Sequence, residues 1–297
     1  MEKTPFVDRL AALVDERHSQ VCLGLDPDPA ALLPGASGTL DQDASAAERA
    51  GLAVSAHCRE LIELAGPVCV AVKPQLACFE RLGAPGWGAL AETMEAAGRA
   101  GLLVIADGKR GDVPVTAAAY GQAMVGATPT PWGEVAGLGA DAFTVNPLLG
   151  GEALDPMVDA AEAAGAGVFS LVRTSNPGAA ELQDRDSGGM PLRERLAALV
   201  AERAPRLAGA CGLSGMGAVI GATEPAVFGR LRELMPDSVF LIPGIGAQGG
   251  RATELGPALA EGRPASVLVA AARSIAGAAD PAGAAAELRD AVWRLAV

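Results

Sequence analysis

The sequence of 297 residues predicts an α/β fold, a single-domain (β/α)8 barrel of the TIM-barrel type. Eight short apolar runs alternate with Ala-rich stretches that have the composition of helices. The runs are continuously apolar, which is typical of parallel strands covered on both faces. Eight regular strand–helix units favour a closed barrel, and a doubly wound open sheet is the alternative.

The predicted elements follow one another without a linker rich in Pro, Gly or charge, so we treat residues 1–297 as one domain. A charged amphipathic segment at the start of the sequence precedes the first strand. Helix-like segments such as 90–101 and 191–204 separate later strands. The predicted strands are VCLGL (21–25), VCVAVKP (68–74), LLVIAD (102–107), DAFTVNP (141–147), GVFSLVR (167–173), GAVIGA (217–222), VFLIPG (239–244) and ASVLVAAA (265–272).

Two long connections follow the carboxyl ends of predicted strands. Residues 26–44 come after the first strand and residues 174–190 after the fifth, and both are rich in Gly, Pro, Ser and Asp. Active sites of (β/α)8 barrels lie at this end of the strands. Loops longer than about 12 residues are often functional lids, and tolerated surface insertions are the alternative. Both interpretations stay open for 26–44, and the lid is favoured for 174–190.

Composition and charge exclude several classes of function. The formal net charge is −12 and no basic run occurs, which argues against nucleic-acid binding. No apolar run approaches the roughly 18 to 20 residues of a membrane span, and the first 20 residues do not resemble a signal peptide. The five cysteines form no CxxC pair, which favours reduced thiols in a cytoplasm.

The chain contains only two histidines, His18 and His57, and both lie in helix-like segments. We interpret them as surface or half-buried helix residues rather than as ligands or bases. His-based zinc sites and Ser-His-Asp triads therefore have little support, and the chemistry is expected to depend on carboxylates and amines.

Charged residues gather where three neighbouring strands end. Asp107 and Lys109 follow the third strand and share one face if the extended backbone continues. Asp26 closes the first strand and Lys73 the second, so four ionisable groups converge on one rim of the barrel. A salt-bridge network at the barrel mouth, with Asp112 capping a helix that begins near residue 113, is the structural alternative.

The distribution of lysines favours a catalytic role for this rim over a structural salt-bridge network. Of 23 basic residues only Lys3, Lys73 and Lys109 are lysines, which leaves 23 − 3 = 20 arginines. Arginine serves salt bridges well but does not readily release a proton near neutral pH, whereas lysine does when its surroundings tune it. The two lysines at strand ends therefore indicate proton transfer.

A second group of motifs predicts a phosphate site. The loop PGIGAQGG (243–250) follows the seventh strand and AARSI (271–275) follows the eighth. Glycines let backbone N–H groups approach an anion, and a following helix N-terminus would add a favourable dipole. Arg273 can bind phosphate through two hydrogen bonds. A plain tight turn is the alternative for the glycine loop alone.

Together these residues resemble the orotidine 5′-phosphate decarboxylase family. DGKRGDVPVT (107–116) has the D-x-K-x-x-D-x-x-x-T pattern of that family. GLD (24–26), the lysine of the second strand, TSNPG (174–178), the glycine loop and RSI (273–275) follow in the family's order, so the resemblance spans nearly the whole chain. The two long loops and DAFTVNPLLG (141–150) resemble its longer, mycobacterial-type (type 2) branch.

The resemblance implies conversion of orotidine 5′-phosphate (OMP) to UMP and CO2 in de novo pyrimidine synthesis. It implies that Lys109 protonates C6 of the pyrimidine and that Asp107 faces the departing carboxylate, with Lys73 and Asp112 in the same catalytic group. Asp112 and Thr116 are expected to reach the active site of a partner subunit, so a homodimer is implied.

Substrate contacts are also implied by the resemblance. Asp26, together with Lys73, would contact the ribose hydroxyls, Ser175 the pyrimidine ring, and Arg273 the phosphate. Gln248 would bridge base and phosphate. The substrate-binding positions are Asp26, Thr116, Ser175, Pro243, Gln248, Gly249 and Arg273.

The implied reaction needs negative charge to be stabilised at C6, where the carbanion lies in the ring plane. Most decarboxylases use a cofactor or metal for this purpose. The sequence has no recognisable pyridoxal phosphate, thiamine or His/Cys metal motif, so we expect no cofactor and no metal. Two alternatives stay open: a Mg²⁺-dependent sugar-phosphate decarboxylase or aldolase of the same suprafamily, and a non-catalytic barrel that binds a phosphorylated metabolite.

Overall fold

A computed structural model describes residues 4–37, 43–246 and 248–296. Eight parallel strands close into a barrel, as the sequence predicted, and two further strands pair separately as an antiparallel hairpin. The strands are β1 (Val21–Leu25), β2 (Ala71–Pro74), β3 (Leu103–Arg110), β4 (Ala127–Thr130), β5 (Gly133–Ala136), β6 (Ala142–Val145), β7 (Gly167–Arg173), β8 (Ser214–Ile220), β9 (Ser238–Pro243) and β10 (Val267–Ala271).

The barrel order is β1-β2-β3-β6-β7-β8-β9-β10, with β10 pairing back to β1. The hairpin of β4 and β5 was not predicted. It lies in the connection between the third and fourth barrel strands, and its four residue pairs join ATPT to GEVA. Strands this short and polar lack the apolar run that identifies a buried strand.

Helices follow most barrel strands and cover the outside of the barrel. They are α1 (Phe6–Arg17), α2 (Ala46–Ala65), α3 (Leu76–Glu80), α4 (Ala84–Arg99), α5 (Pro114–Met124), α6 (Gly151–Ala164), α7 (Ala179–Leu182), α8 (Leu192–Arg203), α9 (Phe228–Leu234), α10 (Arg273–Ala276) and α11 (Pro281–Ala296). Among the described residues, none of these helices is both long and apolar enough to cross a bilayer.

Helix α1 packs against the amino-terminal end of the barrel. Phe6, Leu10 and Val14 recur every four residues and are buried, which places them on one face of the helix. The rings of Phe6 and Phe169 meet edge to face with centroids 5.9 Å apart. Gly167 is required there, because a Cβ at this position would lie 2.5 Å from the Phe6 ring. This end of the barrel is therefore packed, and the opposite end is free to hold a site.

Candidate active site

The charged cluster lies where β2 and β3 end. The Lys73 Nζ donates to Asp107 Oδ2 at 2.5 Å, and the Lys109 Nζ donates to Asp107 Oδ1 at 2.7 Å. Each carboxylate oxygen thus accepts from a different ammonium. Lys73 and Asp107 are 8% and 3% exposed, whereas the Lys109 side chain is 41% exposed. The pair of Lys73 and Asp107 is fixed in the barrel, and Lys109 faces the open mouth.

The backbone at Lys109 differs from the extended geometry on which the sequence argument depended. The pairing of β3 with β6 shifts register between Ala106 and Arg110, and Lys109 has a left-handed φ of 47°. The side chains of Asp107 and Lys109 meet nevertheless, with 2.7 Å between Lys109 Nζ and Asp107 Oδ1. A non-glycine residue in this conformation costs of order 1–3 kcal/mol and needs support from its surroundings.

Two side chains that the sequence analysis did not identify complete the cluster. The Thr144 hydroxyl on β6 donates to Asp107 Oδ1 at 2.8 Å, and the Gln75 amide after β2 donates to Asp107 Oδ2 at 3.3 Å. Thr144 lies inside the predicted strand 141–147, where a threonine is an ordinary strand residue. Only the polar character of Thr144 within a buried run, and of Gln75 directly after one, could have indicated them.

The ionic states follow from burial and the neighbouring charges. Burial by itself would raise the pKa of Asp107, but the ammonium groups of Lys73 and Lys109 hold that pKa well below its usual value of 3.8. Burial would likewise lower the pKa of Lys73, but Asp107, with a smaller contribution from Asp26, raises it above its usual value of 10.5. Carboxylate and ammonium are therefore both charged across the neutral pH range.

A cleft extends from this cluster along the ends of β1, β10 and β9. It is lined by predicted site residues: Asp26, Lys73, Pro243, Gln248 and Arg273. A second cleft adjoins it and includes Ser175 and Gln248 among its lining residues. Gln248 borders both clefts, so the residues predicted to contact ribose, base and phosphate line two clefts that share this residue.

The glycine loop after β9 has the conformation that its sequence requires. Gly244, Gly246 and Gly249 have φ values of 102°, 75° and 93°, which side-chain-bearing residues rarely adopt. Gly249 lies at the exposed rim of the turn. Backbone bonds within the loop, such as Gly246 N to Gly250 O at 3.0 Å, close it.

The prediction of a helix directly after this loop is wrong for the described residues. Short 3₁₀ turns at Ala252–Glu254 and Gly256–Ala258 follow the loop instead. The helix that begins at the cleft is α10, whose first residue is Arg273. Proline and glycine at 256–257 do not favour an α-helix, which explains the difference.

The connection 174–190 is held by its own polar contacts. The Arg173 guanidinium forms two bonds to Asp184 at 3.0 and 2.9 Å, and Arg193 donates to the same carboxylate at 2.7 Å. Hydrogen bonding from Arg173 is the main cause that lowers the pKa of Asp184. The Thr174 N–H donates to Gln183 Oε1 at 2.7 Å, which fixes the residue before Ser175.

The connection 26–44 is described only in part, because residues 38–42 lie outside the described ranges. Its described portion packs onto α2, where the Leu33 N–H donates to His57 Nδ1 at 3.0 Å. Burial lowers the pKa of His57, so its imidazole is neutral near pH 7 and acts as an acceptor. His57 is therefore a structural residue of a helix.

Asp112 and Thr116 are placed differently from the other predicted residues. Asp112 Oδ1 accepts from the Val113 N–H at 2.8 Å, and within the described part of one chain it makes no ion pair. The alternative that Asp112 caps α5 is wrong, because Val113 is the N-cap and no side chain caps this helix. Thr116 is exposed on the first turn of α5. Neither residue joins the cluster around Asp107 in a single chain.

The charged cluster of Lys73, Asp107 and Lys109 lies at the carboxyl ends of the strands of a closed (β/α)8 barrel, which is the end where enzymes of this fold carry their active sites. The profile of the orotidine 5′-phosphate decarboxylase / HUMPS family matches residues 19–288, and the chain belongs to this family. The match covers every barrel strand and all the site residues described above.

Individual relatives agree with this assignment. The chain is 38% identical to an orotidine 5′-phosphate decarboxylase of Rhodopirellula baltica over 257 residues, which are 86% of this chain and 82% of that protein. It is 39% identical to one of Deinococcus radiodurans over 83% of this chain and 80% of that protein. The solved structure of Leishmania donovani OMP decarboxylase superposes with a TM-score of 0.73 at 32% identity, covering 98% of this chain and 99% of that one.

Proposed function

We propose that the chain converts OMP to UMP and CO2 as a cofactor-free carboxy-lyase of pyrimidine biosynthesis, and that the Lys109 ammonium protonates C6. Family membership and the names of its relatives support the activity. The observation that carries the mechanism is the Asp107 carboxylate held between two ammonium groups at 2.5 and 2.7 Å.

The charged cluster of Lys73, Asp107 and Lys109 supplies charges that are in place before the reaction begins. As the bond from C6 to the carboxylate breaks, its electron pair stays on C6 and CO2 departs. An ammonium beside C6 stabilises this charge and then transfers a proton to it. Lys109 suits this role because its side chain is partly exposed at the mouth and anchored to a buried carboxylate.

Asp107 has two roles in this proposal. It keeps both lysines oriented, and it lies close to the carboxylate of a bound substrate, which it repels. Loss of neutral CO2 relieves that repulsion. Lys73 and Asp26, which line the first cleft, are assigned to the ribose hydroxyls.

The remaining contacts are assigned along the two clefts. Ser175 lines the second cleft and is assigned to the pyrimidine ring. Gln248 borders both clefts and is assigned to base and phosphate, with Pro243 and Gly249 shaping the phosphate loop. Arg273 is exposed at the end of the first cleft, where its guanidinium is open to a phosphate.

Turnover of OMP in the presence of a chelator tests the function. Incubation of the protein with OMP is expected to release CO2 and to lower the ultraviolet absorbance of the substrate, equally with and without EDTA. The reason is that Asp107 is already neutralised by two ammonium groups, which disfavour a divalent cation beside it.

Other outcomes identify the alternatives. Activity that EDTA abolishes and Mg²⁺ restores would support the Mg²⁺-dependent sugar-phosphate enzyme. Among the described residues, no group of three or more His, Cys, Asp and Glu side chains is placed to hold a metal ion. Binding of UMP without release of CO2 from OMP would support the non-catalytic barrel.

Substitution of Arg273 is expected to weaken substrate capture. Arg273→Ala should raise KM for OMP and lower kcat/KM by about 10- to 100-fold per hydrogen bond lost, because bonds to a charged group contribute roughly 1.5–3 kcal/mol each. Steady-state kinetics measure both parameters. Arg289→Ala on α11, where the exposed ion pair is with the adjacent Asp290, is the matched control and should leave KM unchanged. An unchanged KM in the Arg273 variant would contradict the phosphate assignment.

A homodimer with shared active sites is part of the proposal. Among the described contacts of one chain, Asp112 and Thr116 make none to the cluster, and large apolar side chains near them in sequence or on the adjoining segment are exposed: Val113, Val115 and Leu148 are 54%, 86% and 65% exposed. Gly111 lies against Asn146, so the segments carrying these side chains are adjacent. Sedimentation equilibrium tests assembly, and a monomer at assay concentrations would overturn it.

We also assign the protein to the cytoplasm and to the longer, type 2 branch of the family. The five cysteines are all free thiols, as a reducing compartment requires. Burial raises the pKa of Cys58 to about 12 and that of Cys69 to about 12, so these thiols are unreactive. The branch assignment depends on the long connections and the segment 141–150.

A further inference from the structure

Thr144 contacts both Asp107 and Lys109 of the charged cluster. It lies on β6, is 1% exposed, and its hydroxyl has two partners. The Lys109 N–H donates to Thr144 Oγ1 at 2.9 Å, and this oxygen donates its own hydrogen to Asp107 Oδ1 at 2.8 Å. A hydroxyl has one hydrogen and accepting lone pairs, so both bonds are satisfied together. One hydroxyl therefore connects the backbone of the proton donor to the carboxylate that anchors its ammonium.

The same two residues are joined a second time by their side chains. Asp107 Oδ1 accepts from the Lys109 Nζ at 2.7 Å as well as from the Thr144 hydroxyl. Backbone amide, hydroxyl, carboxylate and ammonium thus form a closed ring that passes through Thr144. A closed ring fixes the rotamer of Asp107 and the direction of the Lys109 side chain more firmly than a single ion pair would.

The backbone gives a reason for this support. Lys109 has a φ of 47°, in the left-handed region, and the ladder between β3 and β6 is interrupted there by a register shift. Its N–H is therefore not available to a regular strand ladder. The bond to Thr144 satisfies this amide and compensates part of the cost of the conformation.

We propose that Thr144 is a positioning residue for the decarboxylation: its hydroxyl holds the Lys109 backbone in its left-handed conformation and fixes the Asp107 oxygen that accepts from the ammonium. The inference rests on the proposed function, because it concerns the placement of the proposed proton donor. Thr144 is 1% exposed and its hydroxyl is bonded to both residues, so its effect is exerted through Lys109 and Asp107.

Two substitutions separate the hydroxyl from the volume of the side chain. Thr144→Val removes the hydroxyl at nearly constant size and should lower kcat by about 10- to 100-fold, the range for a hydrogen bond to a charged group, with little change in KM for OMP. Thr144→Ser keeps the hydroxyl and should recover most of kcat. Thr93→Val on α4 is the matched control, because Thr93 is also fully buried but donates to Ala89 O at 2.7 Å, remote from the cluster.

A structural role alone predicts a different pattern. Thr144→Val would then lower the melting temperature, as is expected for Thr93→Val, and leave kcat at the wild-type value. That result, or equal loss of kcat in Thr144→Val and Thr144→Ser, would overturn the inference. UMP binding by calorimetry, retained in Thr144→Val, shows that the clefts are folded.

A measurement independent of turnover separates this inference from the proposed function. The chain has only three lysines, so the ¹³Cε resonance of Lys109 can be assigned by its loss in Lys109→Ala. It should move in Thr144→Val and keep its wild-type position in Thr144→Ser and Thr93→Val. If wild-type protein does not turn over OMP, the function fails while this resonance still tests the positioning. A resonance that is unmoved in Thr144→Val would overturn the inference whatever the activity.

Discussion

The Lys109→Ala variant is expected to lose decarboxylation by at least about 10⁴-fold while keeping its fold. Proton donation contributes roughly 10²–10⁴ and a preorganised charge roughly 10²–10³ to a rate, and this substitution removes both. The Lys109 side chain is 41% exposed, and without it Asp107 keeps its buried partner Lys73, so we expect the fold to persist. The rate of OMP loss, followed by ultraviolet absorbance, measures the first expectation, and the melting temperature measures the second.

A second variant separates charge from proton transfer. Lys109→Arg keeps a cation beside Asp107 but does not readily release a proton, so we expect it to stay far below wild-type activity. Arg99→Ala, which breaks an exposed pair with Glu95 on α4, should be fully active. Near-normal turnover of the Lys109→Ala variant would remove Lys109 from the mechanism.

The sequence predicted the barrel and much of the charged rim because both depend on local patterns. A strand covered on both faces is continuously apolar, and the residue after it lies at the barrel end, so Lys73 and Asp107 could be placed without coordinates. The encounter of Lys109 with Asp107 was also predicted. We expected the two side chains to meet because residues i and i+2 of an extended strand share a face. The backbone at Lys109 is not extended, since its φ is 47°.

The contacts that depend on registry between strands could not be predicted. Thr144 meets Asp107 only because β6 pairs with β3 at a specific offset, with a shift between Ala106 and Arg110. A threonine in an AFTV run has the composition of any strand. The hairpin of β4 and β5 and the 3₁₀ turns after the glycine loop likewise lack the periodicity by which elements are recognised.

Asp107→Asn is the variant with the largest expected effect on stability. It removes the carboxylate charge but leaves Lys73, which is 8% exposed, as a buried cation with a neutral partner. Loss of one partner of a buried pair costs about 3–5 kcal/mol. We therefore expect a lower free energy of unfolding by about this amount near pH 7, together with loss of decarboxylation. Denaturant unfolding and the OMP assay measure the two effects.

The expected pH dependence has a definite sign. The pKa of Asp107 is lower in the folded protein than its usual 3.8, so its stabilising contribution is complete above about 3.8 and is lost as the pH falls through the folded value. The pKa of Lys73 is raised above 10.5, so its contribution is complete below that value and is lost at higher pH. The stability difference between wild type and Asp107→Asn should therefore be largest between these limits and shrink in acid. A difference that is constant down to pH 2 would contradict the assigned ion pair.

Removal of the charges of both Asp107 and Lys73 distinguishes what this ion pair contributes to folding from what it contributes to the reaction. In Asp107→Asn combined with Lys73→Met, no uncompensated cation is left in the barrel, so we expect this double variant to be more stable than Asp107→Asn alone. Replacement of a buried ion pair by uncharged groups of similar volume is often neutral or stabilising, so we expect folding not to require these charges. The double variant should nevertheless be inactive, because Lys109 loses the carboxylate that anchors it at 2.7 Å. If the double variant folds well but does not decarboxylate OMP, the charges of Lys73 and Asp107 serve the reaction. If the double variant is no more stable than Asp107→Asn alone, Lys73 and Asp107 are not coupled.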